Sequence, residues 1–155
     1  GGTGTVASAP AGISCGSDCS EAYSSGTSVK LTATAGSGYA FSTWTGCNSV
    51  SANTCTVAMT GAKAVRAEFI PAYTLRLAKS AYSYGTVTSA PSGIVCGTTC
   101  SARSALFASG TTVTLTATPI TGRRFKNWSG ACTGVVATSC AVPMTKAQSV
   151  TAVFQ

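Results

Sequence analysis

Four cysteines in the first half of the chain return in the second. Cys15, Cys19, Cys47 and Cys55 are matched by Cys96, Cys100, Cys132 and Cys140. The offset is 81 residues for the first two and 85 for the last two. Other landmarks keep step: Ala9-Pro10 returns as Ala90-Pro91, Trp44 as Trp128, Met59 as Met144 and Phe69 as Phe154. The offset widens by three between Cys100 and Gly110 and by one between Trp128 and Cys132, as loop insertions do. A tandem repeat of this kind points toward an array or fibre and away from a lone catalytic fold.

The repeat divides the 155 residues into two modules, 1–70 and 71–155. Each is of a size at which a hydrophobic core alone is marginal, so covalent staples are expected. The four cysteines per module supply them, and disulfides require an oxidising compartment outside the cytoplasm. No charged and apolar leader stands at the start, which predicts that any signal peptide has been removed. No apolar run approaches the length that spans a bilayer. Four cysteines allow three connectivities. The favoured one joins neighbours, Cys15–Cys19, Cys47–Cys55, Cys96–Cys100 and Cys132–Cys140, because each pair brackets a loop bearing Gly, Ser, Thr or Asn. The crossed alternative ties Cys15 to Cys47 or Cys55. A zinc site is disfavoured: Cys15 and Cys19 have metal-ligand spacing, but Cys47 and Cys55 lie too far apart. No metal and no cofactor is expected.

Periodicity two runs through both modules. Tyr73, Leu75 and Leu77 share one face of a strand, and residues 79–84 read as the turn after it. Residues 85–89 form the next strand, and Ala90-Pro91-Ser92-Gly93 breaks it. The connector from Cys100 through Phe107 is short and has room for one helical turn. Val113, Leu115 and Ala117 line a further strand, residues 123–128 another, Cys140, Val142 and Met144 another, and Val150, Ala152 and Phe154 the last. The first module shows the same order from Thr5 onward, with Val29, Leu31 and Ala33, then Phe41 and Trp44, then Cys55, Val57 and Met59, then Val65, Ala67 and Phe69. β-Branched and aromatic residues fill these runs. The fold class expected is all-β: two tandem, small, antiparallel β-sandwich-like modules, each clamped by disulfides, with about eleven short strands in all.

The first module has no counterpart of the strand that opens the second. Either the chain is cut from a longer array, or another molecule supplies that strand. An open hydrophobic groove beside an unpaired edge is a template for strand addition. A head-to-tail contact of that kind propagates as a filament unless it closes. The C-terminal strand with Val150, Ala152 and Phe154 is the candidate assembly strand.

Charge narrows the function. Only 8% of residues are charged, against about 25% in an ordinary soluble domain. A sparsely charged surface promotes association. Up to Phe69, three bases cancel three acids; beyond it stand seven bases and no acid. The second module is therefore cationic, suited to an anionic polymer or a bacterial surface. There is no histidine, and Asp18, Glu21 and Glu68 are the whole set of carboxylates. General-base and nucleophile chemistry thus lack their usual residues, and the chain is not expected to be an enzyme. Arg123, Arg124 and Lys126 form the candidate anion-binding site, for an anionic glycan or nucleic acid, with Phe125 and Trp128 interleaved. The aromatics match Phe41 and Trp44 of the first module, which reads them as core with the cations exposed beside them. Asn127-Trp128-Ser129 is a glycosylation sequon. Tyr82 and Tyr84 fall at the tip of a turn, where aromatics serve adhesion or subunit contact.

Taken in order, residues 85–100 (GTVTSAPSGIVCGTTC), 110–117 (GTTVTLTA), 125–130 (FKNWSG) and 150–154 (VTAVF) resemble the bacterial repeat domain family, a divergent relative of the internalin B-repeat. The first module matches through residues 4–6, 26–33, 44–47 and 65–69. The resemblance implies a secreted or surface-anchored bacterial protein whose modules act as spacers, stalks or adhesive units, and it implies no catalytic residue. The expected role is a repeat unit of a surface fibre or stalk that associates with itself or with neighbouring modules of the same polypeptide.

Overall fold

Strict alternation of β-branched and small polar residues makes strands wherever one face can be buried. In Ser28–Ala35, Val29, Leu31 and Ala33 are buried and their neighbours face outward. In Thr112–Pro119 the same is true of Val113, Leu115 and Ala117. A computed structural model describes residues 3–155, apart from the side chain of Tyr82; Gly1 and Gly2, where the first module was expected to begin, lie outside that set. The chain is all-β and divides into two units, one ending at Pro71 and the other running Ala72–Gln155.

The first unit contains β1 (Gly4–Ala9), β2 (Ser14–Cys15), β3 (Ser28–Ala35), β4 (Tyr39–Thr45), β5 (Ser49–Ser51) and β6 (Thr54–Ala58). One antiparallel sheet has the order β2-β1-β3-β6-β5. Against it lies β4, paired antiparallel with Arg66–Pro71 of a long strand, β7 (Arg66–Ser80). The core between the layers is Val29, Leu31, Ala33, Trp44, Cys55 and Val57. Phe41 packs on Trp44 at 5.6 Å and edge-on to Phe69 at 6.1 Å.

The second unit takes the rest of β7 and adds a 3-10 turn at Tyr82–Tyr84, then β8 (Gly85–Ala90), β9 (Val95–Cys96), β10 (Ala102–Ala108), β11 (Thr112–Pro119), β12 (Phe125–Gly130), β13 (Ser139–Pro143) and β14 (Gln148–Phe154). One sheet has the order β13-β11-β8-β9, the facing one β10-β7-β14-β12. Here β7 is an inner strand, antiparallel to β10 and parallel to β14. Leu75 and Leu77 are wholly buried between the sheets with Trp128, Met144, Val150 and Phe154 around them.

Four disulfides join neighbours: Cys15–Cys19, Cys47–Cys55, Cys96–Cys100 and Cys132–Cys140. Three local expectations are corrected. The connector to Phe107 holds no helical turn; Ala102–Ala108 is strand β10, because β7 offers it a full ladder from Ala78 to Ala72. Lys79 does not begin a turn but continues β7 to Ser80. The strand count also differs: β2, β5 and β9 are too short to show a period, β10 was expected as a connector, and the last strand of the first module runs on unbroken into the opening strand of the second as β7.

Candidate functional site

The two modules differ most where β7 runs through the second. In that module, Leu75 and Leu77 drop into the core and Lys79 follows on the same face, 7% exposed. Its ammonium donates to the carbonyls of Gly85 at 2.7 Å, Gly97 at 2.6 Å and Cys96 at 3.4 Å. Two of those carbonyls belong to the loop closed by Cys96–Cys100. Gly97 also accepts from the Cys100 amide, so the disulfide turn and the lysine hold each other. Burial pushes the Lys79 pKa below the ordinary lysine value, because removing an ammonium from water disfavours its charged form.

The corresponding space in the first module is an open groove of about 530 Å³. Its floor is Val29, Leu31, Trp44 and Val57, and its walls include Val6, Ile13, Met59, Val65 and Phe69. These wall residues are half-buried, whereas their equivalents Val87, Ile94, Met144, Val150 and Phe154 are buried. The difference is the cover that Leu75 and Leu77 provide. Among the described residues, Arg66–Pro71 pairs with β4 alone, so its other edge is a bare row of backbone donors and acceptors. Gly4, Cys15 and Gly16, the counterparts of the three lysine acceptors, all line the groove. Glu21 also lines the groove, with its carboxylate beside Gly12 and the Tyr23 hydroxyl.

The segment equivalent to β10 reports the same lack of cover. Residues 20–24 form no strand, although Ala102–Ala108 does in the second module. Tyr23, at the place of Phe107, instead donates its hydroxyl to Ser8 Oγ at 2.7 Å. The turn beside it differs as well: Gly16 has φ 149°, a positive value that Gly97 does not share.

The strand singled out in the sequence, with Val150, Ala152 and Phe154, lies elsewhere. It is β14, hydrogen-bonded on both edges, to β7 and β12, with all three side chains in the core of its own module. Those side chains are committed there, and in the second module the place equivalent to the groove is filled by the face of β7 that carries Leu75, Leu77 and Lys79. Sequence reasoning grouped Tyr73, Leu75 and Leu77 but stopped short of Lys79. Continuing the same period by one more step is the signal that would have found it.

The basic run sits on β12 and the turn before it. Phe125 packs on Trp128 at 5.0 Å and edge-on to Phe154 at 5.7 Å, so the aromatics serve the core. Arg123, Arg124 and Lys126 are exposed. The Arg123 guanidinium stacks 3.9 Å from the centre of the Tyr84 ring, and the Arg124 backbone pairs with Gln155. The three cations are thus exposed on β12 and the turn before it, while the aromatics of that run serve the core. Tyr82, the other aromatic of the turn, has its side chain outside the described residues. Asn127 of the sequon is half-buried and bonded to the Trp128 carbonyl at 3.2 Å.

No helix among the described residues is long and apolar enough to cross a membrane. The comparisons with curated proteins and with solved structures gave no match. The profile of the divergent InlB B-repeat domain matches residues 3–72 and again 75–155. Two copies thus cover nearly the whole sequence, and the chain belongs to the divergent InlB B-repeat domain family.

Proposed function

We propose that this chain is a non-enzymatic structural unit of an extracellular bacterial fibre or stalk, in which the first module is completed by a strand from a neighbouring subunit. The observation that carries the reading is the pair of modules itself. One has a strand through its core and the other presents the same groove open, with a free backbone edge beside it. Four disulfides, membership of the B-repeat family and a surface poor in charge support an exported, self-associating protein. Electron microscopy of the unreduced protein at low and high concentration tests it. Filaments that lengthen with concentration are expected; separate two-lobed particles at every concentration would overturn the fibre reading.

A second reading is an adhesin-type module that holds an anionic glycan or nucleic acid through the second repeat. It rests on the exposed Arg123, Arg124 and Lys126, in a module with no acidic residue. Heparin and single-stranded DNA are suitable probes. Binding that weakens steeply with salt, and is lost when the three cations are neutralised together, is the expected result.

A further inference from the structure

We infer that the groove of the first module selects its incoming strand by a lysine: it accepts the pattern apolar–x–apolar–x–Lys, laid parallel to residues 65–69. The inference rests on the strand-completion reading above and adds the chemistry and register of the joint. The second module supplies the template. There, Val150 lies opposite Leu77 and Ala152 opposite Lys79 in a parallel ladder. Val65 and Ala67 hold the places of Val150 and Ala152 in the first module. The second apolar residue of the strand therefore lies against Val65 and its lysine against Ala67. The ammonium then comes to the end of the groove lined by Gly4, Cys15 and Gly16, the counterparts of the Gly85, Cys96 and Gly97 carbonyls that hold Lys79, and the turn at Gly16 must take up the Gly97 conformation to complete the set.

The lysine sets the register. Two apolar residues two apart fit an apolar groove equally well after a slip of two residues, since the side-chain period is two. A buried ammonium does not slip, because away from its carbonyls it would be desolvated without partners.

The occupant is a strand of this pattern from outside the folded core of residues 3–155. Two segments of this chain carry the pattern, Leu75–Lys79 and Val142–Lys146. The apolar side chains of both are buried in the core of the second module, and Pro143 interrupts the ladder that the latter could form.

The test uses the intact, oxidised chain and a peptide with the sequence of residues 73–80, YTLRLAKS, against the same peptide carrying Lys79→Met. Calorimetry should show one peptide bound per chain, with the Lys79→Met peptide at least about tenfold weaker, as expected for lost hydrogen bonds to a charged donor. A photo-crosslinker at the tyrosine position should mark residues within 3–69. Equal affinity of the two peptides overturns the lysine selection and leaves strand completion standing. No binding, or crosslinks confined to 72–155, overturns the inference; filaments that still form then use another joint. Peptide binding by a chain that stays single at every concentration upholds the inference and overturns the fibre reading above.

Discussion

Gly85 and Gly4 occupy one position in the two copies, and each lies under an aromatic ring, Phe154 and Phe69 respectively. A methyl group at either would run into that ring. Phe154 is buried in a closed core, while Phe69 borders the groove and has room to swing. Gly85→Ala should therefore destabilise its module by about 1–3 kcal/mol, the usual range for overpacking, and Gly4→Ala by clearly less. Urea unfolding of the two variants measures the contrast. Lys79 invites a second comparison. Lys79→Met removes an ammonium from three carbonyls and should cost about 1–3 kcal/mol, because buried acceptors lose their donor. The same residue gives the wild type a pH dependence. Its folded pKa is lowered, so between that value and the ordinary one the unfolded chain binds more protons, and stability rises with pH. The penalty is full below the folded pKa and is gone once pH passes roughly 10.4. Urea midpoints taken across that window should climb in the wild type and stay flatter in Lys79→Met.

At the scale of elements, the disulfides act as turn clamps. Cys132 and Cys140 are both buried, so replacing them with alanine removes a clamp and packed sulfur together. The double change should lower the stability of the second module by about 2–4 kcal/mol, read by thermal unfolding. Much of the element map was legible in the sequence. The alternation that marks β3, β6, β11, β13 and β14 is the direct imprint of a sheet with one buried face. What stayed hidden depends on partners rather than on local pattern. In Ala102–Ala108 only Phe107 is fully buried, and β7 makes the segment a strand. The matching residues 20–24 lack such a neighbour and form no strand. The groove was legible only as a missing strand. Its lysine acceptors are backbone carbonyls, which no side-chain pattern reveals.

For the whole molecule, the repeat is an internal control. One copy carries its central strand and the other presents the place for it, so each module predicts what the other does when changed. A strand with the sequence of residues 73–80, joined by a short linker ahead of the first module, should occupy the groove and leave the protein unable to elongate. Negative-stain images and light scattering would check this; filaments of undiminished length would count against the joint described.

The position of the small disulfide loops has a bearing on when such a joint can form. Two of the three acceptors for the incoming lysine, Cys15 and Gly16, lie in the turn that Cys15–Cys19 closes. Inside a reducing cytoplasm that turn is unclamped. A newly made subunit would then be a poor receiver for its neighbours until it has been exported and oxidised. On the strand-completion reading, the bond that steadies the fold would also set when the groove can receive a strand.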